Sequence, residues 1–185
     1  MLIGIVAAKD KSTRLAGKNH KKLGGKPLYV HAIQKLVDVG RFDKVVFATD
    51  IPKRKIHPSV LKYSYGIGNQ ENSTMELPDV YAHVLKKEKI VDGTLVGLMP
   101  TNPFITSDKI DEALERYWEN GNLILRSYGK KGNENGLYIV DIDVLLNGNQ
   151  WDSRYDVYTG AIGAPGIEIH TKREWELTRE KWKTS

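Results

Sequence analysis

Apolar positions along the chain follow two alternating patterns. Leu2 to Ala8 is an apolar run without polar alternation, as a strand buried on both faces of a parallel sheet requires. Leu28, Ala32, Ile33, Leu36 and Val37 then recur at helical spacing. Pro27 stands where a first helical turn tolerates proline, and Gly40 stops the pattern. Lys44 to Thr49 predicts a second strand, ending at Asp50. Leu77, Val80, Tyr81, Val84 and Leu85 predict a helix that Ser73 or Thr74 would cap. Thr94 to Met99 predicts a third strand, broken by Pro100 and Pro103. Ser107 is expected to cap the next helix, with Ile110, Ala113, Leu114 and Tyr117 as its buried stripe and Gly121 as its end. Leu123 to Ser127, Gly136 to Asp141 and a segment near Ile167 to Ile169 predict further strands, and Thr171 to Trp182 a closing helix.

Strands that alternate with helices of this length argue for an α/β chain: a three-layer α/β/α, Rossmann-like fold around a mostly parallel sheet. With 185 residues and 40% hydrophobic content, one core suffices, so residues 1–185 are expected to form a single domain. Ile51 to His57 and Ser127 to Asn135, rich in Lys, Gly and Asn, are the segments expected to be mobile. Cysteine is absent, which excludes disulfides and thiolate metal sites. No apolar run approaches the roughly 20 residues of a membrane span, so no membrane partner is expected and a cytoplasmic protein is. The net charge of +5 is spread along the chain rather than gathered into a block with interleaved aromatics. That distribution suits a small anionic substrate and argues against nucleic acid as a partner.

One loop concentrates the charge. Between the first strand and the first helix stand Lys9, Lys11, Arg14 and Lys18, with Ser12, Thr13 and Asn19 among them, followed by Leu23-Gly24-Gly25-Lys26-Pro27-Leu28. Open α/β sheets bind ligands outside the carboxyl ends of their strands, where this loop would lie. Its charge suits a polyphosphate, so a nucleotide site is predicted here.

Several motifs occur in one order: Gly17-Lys18-Asn19 with Gly24-Gly25-Lys26-Pro27-Leu28, the strand end Phe47-Ala48-Thr49-Asp50, the turn Met99-Pro100-Thr101-Asn102-Pro103-Phe104 with Ile110-Asp111-Glu112-Ala113 behind it, and Asn135-Gly136-Leu137-Tyr138-Ile139. Together they resemble the acylneuraminate cytidylyltransferase family over nearly the whole chain. The resemblance implies a nucleotidyltransferase fold and transfer of CMP from CTP to an acidic sugar, sialic acid or a related nonulosonate, with release of pyrophosphate. CTP and the sugar are the implied partners. Lys18 matches the lysine of the family's Gly-Lys-Asn, and Lys9 stands where the family usually has arginine. Lysine is a point charge, and Arg14 would restore a guanidinium fork, so these three are the candidate catalytic cations. Ser12 lies in the same loop, and the amide of Asn19 could read the cytosine edge. Thr101 and Asn102 would face the nucleotide and the acceptor, and Asn135 and Gly136 would open the substrate-side strand. Lys11, Lys21 and Lys22 are expected to be solvated, and His31 and His83 to be helix residues rather than catalysts.

Two departures stand out. The family usually carries Asp-x-Asp-Thr near its C-terminus to hold magnesium, and this chain has Glu168-Ile169-His170-Thr171 there. Glu168 and His170 are therefore the candidate metal residues, with magnesium as the implied cofactor and manganese as the alternative, because imidazole prefers transition metals. Asp141-Ile142-Asp143 ends a different strand and is not expected to serve. The family also inserts an arm between the strands matching Leu123 to Ser127 and Gly136 to Asp141, used for dimer contacts and part of the sugar site. Here only a short connection remains, so the implied homodimer lacks its arm. The alternatives are a nucleotidyltransferase with another acceptor, of the keto-deoxyoctonate type, and a nucleotide-binding module without catalysis.

Overall fold

The computed structural model describes residues 1–68, 76–121, 124–129, 134–147, 159–163 and 166–184. The first apolar run is strand β1 (Leu2–Ala8), followed by a small hairpin, β2 (Lys22–Leu23) and β3 (Lys26–Pro27), and by helix α1 (Leu28–Val39). Gly24 and Gly25 form the hairpin turn with φ of 53° and 83°, a conformation that excludes most side chains. Pro27 occupies the N-cap of α1 rather than its first turn. Then come β4 (Lys44–Thr49), β5 (Ser64–Gly66), α2 (Leu77–Glu88), β6 (Thr94–Leu98), α3 (Ser107–Glu119), β7 (Ile124–Tyr128), β8 (Glu134–Asp141), α4 (Ile142–Asn147), β9 (Thr159–Gly163) and α5 (Lys172–Lys183).

Seven strands form one sheet in the order β5-β4-β1-β6-β8-β7-β9. Strands β5, β4, β1 and β6 are mutually parallel, β8 runs against both β6 and β7, and β9 is parallel to β7. Six strands thus point one way and β8 the other, so the start of β8 lies at the same sheet edge as the carboxyl ends of β1, β4 and β6. Alternate side chains of each strand enter two cores. Val6, Phe47, Val96, Leu98, Leu125 and Ile139 pack with α1 and α3, while Ile3, Ile5, Val46, Leu95, Ile124 and Val140 pack with α2 and α4. The predicted three-layer α/β/α architecture with a mostly parallel sheet is what the chain adopts.

Several boundaries differ from expectation for physical reasons. Thr106, not Ser107, caps α3: its hydroxyl accepts from the Lys109 amide at 3.2 Å. With Thr106 as cap, the residue before it and the fourth helical residue are Ile105 and Ile110, both fully buried, which makes a hydrophobic staple that a Ser107 cap would lose. Helix α2 begins at Leu77 with Glu76 at its N-cap, whose amide donates to Asp79 at 3.0 Å. The expected caps Ser73 and Thr74 lie outside the described residues. Strand β9 falls at Thr159–Gly163, whereas the segment expected near Ile167 to Ile169 is not a strand. Strand β5 and helix α4 were not expected, and Asp141 caps α4 by accepting from the Asp143 and Val144 amides at 2.8 and 3.3 Å. Ile51 and Ile56, in a segment expected to be mobile, are buried on either side of a short 3-10 turn. The first part of the other such segment, residues 127–129, is described, as are 134 and 135; the intervening 130–133 lie outside the described residues.

Candidate functional site

The basic loop leaves the carboxyl end of β1 and wraps a cavity of about 470 Å³. Lys9, Lys11, Ser12, Thr13, Arg14, Lys18 and Asn19 line one side. Ala7, Ile67, Leu77, Val80 and Met99 give an apolar wall from the strand ends and the start of α2, and Pro100 and Thr101 close the cavity behind β6. Glu76 is the sole carboxylate among the described lining residues. Four cations of one loop therefore face a cavity with one acidic neighbour among its described lining, an arrangement chemically suited to a polyanion beside an apolar surface.

Local bonding holds the loop. The Asn19 amide donates to the Lys9 carbonyl at 2.8 Å, closing the loop's two ends on each other. Gly17, with φ of 60°, introduces a short 3-10 turn over Lys18–His20. Leu15, Leu23, Leu28, Ile169 and Trp175 form a third apolar cluster beneath it, so α5 and the segment before it brace the loop from behind. On its outer side the Asp10 amide donates to Asp50 at 2.6 Å, and the Asp10 carboxylate accepts from His20 at 2.7 Å and Lys55 at 3.4 Å. This anchorage was not foreseen; its signal in the sequence is an acidic residue inside an otherwise basic loop.

Lys18 is only 9% exposed. Burial and the neighbouring Arg14 charge lower its pKa below the ordinary lysine range, and Glu168 and Glu174 oppose the drop. Glu168 accepts from the Thr101 hydroxyl at 2.9 Å and lies 3.1 Å from His170 Nε2. Burial pushes its carboxyl up, but the His170 bond and charge, the Thr101 bond and the Lys18 charge outweigh burial and hold it below the usual range. One carboxylate and one imidazole do not make a divalent-cation cage from protein groups alone. Both oxygens of the one carboxylate already accept protein hydrogen bonds, and among the described residues no three carboxylates, imidazoles or thiolates gather into a metal-binding group.

The other predicted residues fall as follows. Thr101 lines the cavity, whereas Asn102 and Asn135 are buried and bonded to each other, Asn102 Nδ2 donating to Asn135 Oδ1 at 2.6 Å. Gly136 has φ of 84°, its carbonyl accepts from the Met99 amide at 2.7 Å, and a Cβ there would come within 3.2 Å of the Met99 Cβ. It lets β8 pass closely by the turn after β6. Lys11 and Lys22 are exposed, as expected, Lys11 also lining the cavity, and the half-buried Lys21 lies over the Trp175 ring at 5.5 Å. His31 bonds the Leu23 carbonyl at 2.7 Å and meets the Trp182 ring edge-on, and His83 packs against Tyr65, as expected of helix residues. Thr13, in the predicted loop, lines the cavity with it, whereas Glu76 and the apolar wall were missed, since only the fold brings α2 and the strand ends over the loop.

The chain resembles known proteins. A family model described as cytidylyltransferase matches residues 3–146. The chain is 26% identical over 133 residues to the CMP-N,N'-diacetyllegionaminic acid synthase of Legionella pneumophila, with 67% of this chain and 56% of that protein covered. It is 33% identical over 89 residues to the 3-deoxy-manno-octulosonate cytidylyltransferase of Yersinia pseudotuberculosis, with 44% and 33% covered. The matched stretches thus span 56% or less of these relatives' own lengths. The fold superposes on that of a CMP:2-keto-3-deoxy-manno-octonic acid synthetase complexed with CTP at a TM-score of 0.75 and 15% identity, covering 99% of this chain and 98% of that one. No helix among the described residues is long and apolar enough to cross a membrane.

Proposed function

Since the chain belongs to the cytidylyltransferase family, we propose that it transfers CMP from CTP to an acidic sugar, a nonulosonate such as sialic acid or its relatives, releasing pyrophosphate. The observation that carries this reading is the cavity in which Lys9, Lys11, Arg14 and Lys18 face an apolar wall at the carboxyl ends of β1 and β6. The cations suit the triphosphate, and Ala7, Leu77, Val80 and Met99 offer the base an apolar surface. Asn19 and Ser12 are the proposed polar contacts to the nucleoside and phosphates. Thr101, with the Asn102–Asn135 pair and Gly136 behind it, forms the proposed acceptor side.

In this reaction an acceptor hydroxyl oxygen bonds to the α-phosphorus, the bond to the pyrophosphate oxygen breaks, and the hydroxyl proton leaves to solvent or a base. Negative charge grows on the departing oxygens, so cations placed beforehand around them stabilise the transition state more than the ground state. Lys9, Arg14 and Lys18 are the proposed groups for that role. The reaction class calls for a divalent cation, magnesium or manganese, and we propose that it arrives as a ligand of the triphosphate.

A second reading, with an octulosonate as acceptor, is favoured by the likeness to the Yersinia cytidylyltransferase over 89 residues. The test of both is pyrophosphate release from each of the four nucleoside triphosphates against a panel of acidic ketosugars. Release from CTP with one nonulosonate is the expected result. Release with an octulosonate alone selects the second reading, and saturable CTP binding without release under any condition refutes catalysis.

A further inference from the structure

The segment from Glu168 to Thr171 is bonded on every side by protein. Thr101 gives its hydroxyl to Glu168 Oε1 at 2.9 Å, and its carbonyl accepts the Ile169 amide at 2.8 Å. His170 Nε2 meets the second carboxylate oxygen at 3.1 Å. Glu174, from the first turn of α5, accepts the His170 and Thr171 amides at 2.8 and 2.7 Å. Ile169 is fully buried against Leu15, Leu23, Leu28 and Trp175. The segment therefore ties the turn after β6 to α5 and to the underside of the basic loop.

Both ring nitrogens of His170 are already enclosed by the protein. His170 Nδ1 is buried with no hydrogen-bond partner among the described residues. The other ring nitrogen, Nε2, lies 3.1 Å from the Glu168 carboxylate. Nε2 is thus engaged with the carboxylate and Nδ1 is closed off from solvent. Lys18, meanwhile, lines the same cavity as Thr101 and is buried, and a buried ammonium needs a nearby carboxylate. Glu168 and Glu174 supply that charge, and the effect is mutual between Lys18 and Glu168.

We propose that Glu168 is a positioning residue rather than a metal ligand: held by Thr101 and His170, it fixes the counter-charge of Lys18, so the loop is set to take a phosphate chain before any divalent cation is present. The inference rests on the nucleotide reading of the cavity for its ligand, and its test separates the two.

The full chain is titrated with Mn2+ alone and followed by electron paramagnetic resonance; no binding at micromolar metal is expected. One Mn2+ held per chain at micromolar concentration, and lost in Glu168→Gln, overturns the proposal. CTP binding is then measured calorimetrically in EDTA for the wild type, Glu168→Gln, Lys18→Met and the double variant. Glu168→Gln is expected to weaken binding about tenfold, the scale of a charge-assisted contact, and the double variant to be no weaker than Lys18→Met alone. Unchanged or tighter binding in Glu168→Gln overturns it, because removing a metal ligand only relieves repulsion of the phosphates. Binding that requires Mn2+ also overturns it. If the wild type binds no CTP with or without Mn2+, the nucleotide reading fails, while the Mn2+ titration still decides whether Glu168 holds metal.

Discussion

Replacing Lys35 by methionine is expected to stabilise the protein at neutral pH. Lys35 extends from α1 to the turn after β6, its ammonium donating to the Pro103 carbonyl at 2.5 Å. Burial lowers its pKa from 10.5 to about 8. The unfolded chain therefore binds more protons than the folded one between about pH 8 and 10.5, and stability rises with pH across that window. A gap of about 2.5 pH units corresponds to about 3 kcal/mol of destabilisation below pH 8. Methionine removes that cost but leaves the Pro103 carbonyl without its donor, a loss of about 1 kcal/mol. The variant should be about 2 kcal/mol more stable at pH 7 and about 1 kcal/mol less stable above pH 10.5, where the wild-type amine is neutral in both states. Urea unfolding of both proteins from pH 7 to 11 measures this, and their difference cancels every other titrating group. A difference that does not change sign, or a variant already weaker at pH 7, refutes the reasoning.

Three further outcomes follow from particular contacts. A Cβ on Gly97 would lie 2.3 Å from the hydroxyl of the fully buried Tyr81, so Gly97→Ala should cost about 2–3 kcal/mol as α2 is forced off the sheet; an unchanged melting temperature would contradict that packing. Asn102→Ala removes the bond to Asn135 Oδ1 and the acceptor of the Phe104 amide at 3.2 Å, and should cost about 2 kcal/mol in urea unfolding; a loss within about 0.5 kcal/mol, usual for a surface site, would show that the pair is not needed. For Asp10, burial raises the carboxyl pKa, but His20 and Lys55 outweigh burial and hold it below the usual range. Its contribution is thus present above the unfolded pKa and lost as pH falls through the lowered folded one. Asp10→Asn should lose about 1 kcal/mol at pH 7 and show a shallower acid limb, and parallel acid limbs in wild type and variant would refute it.

How far the chain could be read from its residues depended on how local each signal was. The stripes of α1 and α3 and the buried runs of β1, β4 and β6 repeat within a few residues, so period alone places them. The choice between Thr106 and Ser107 as cap turns on Ile105, whose burial pairs it with Ile110 across the first turn when Thr106 is the cap. Near Ile167 to Ile169 the alternation misleads. Ile169 is buried and Ile167 exposed, yet the Ile169 amide bonds a turn, at Thr101, rather than a neighbouring strand. Alternation reports which side chains point inward and says nothing of what the backbone pairs with. The candidate site divides the same way. Its cations were legible because a single loop carries them, whereas the groups that set their charge state come from far along the chain: Glu168 reaches Thr101 across 67 positions and meets the field of Lys18. A motif comparison scores the position of Glu168 as a changed metal ligand, because position is all it sees. The bonds made by Thr101, His170 and Glu174 lie beyond such a comparison, and they are what motivates the proposal that Glu168 answers the charge of Lys18 rather than a metal.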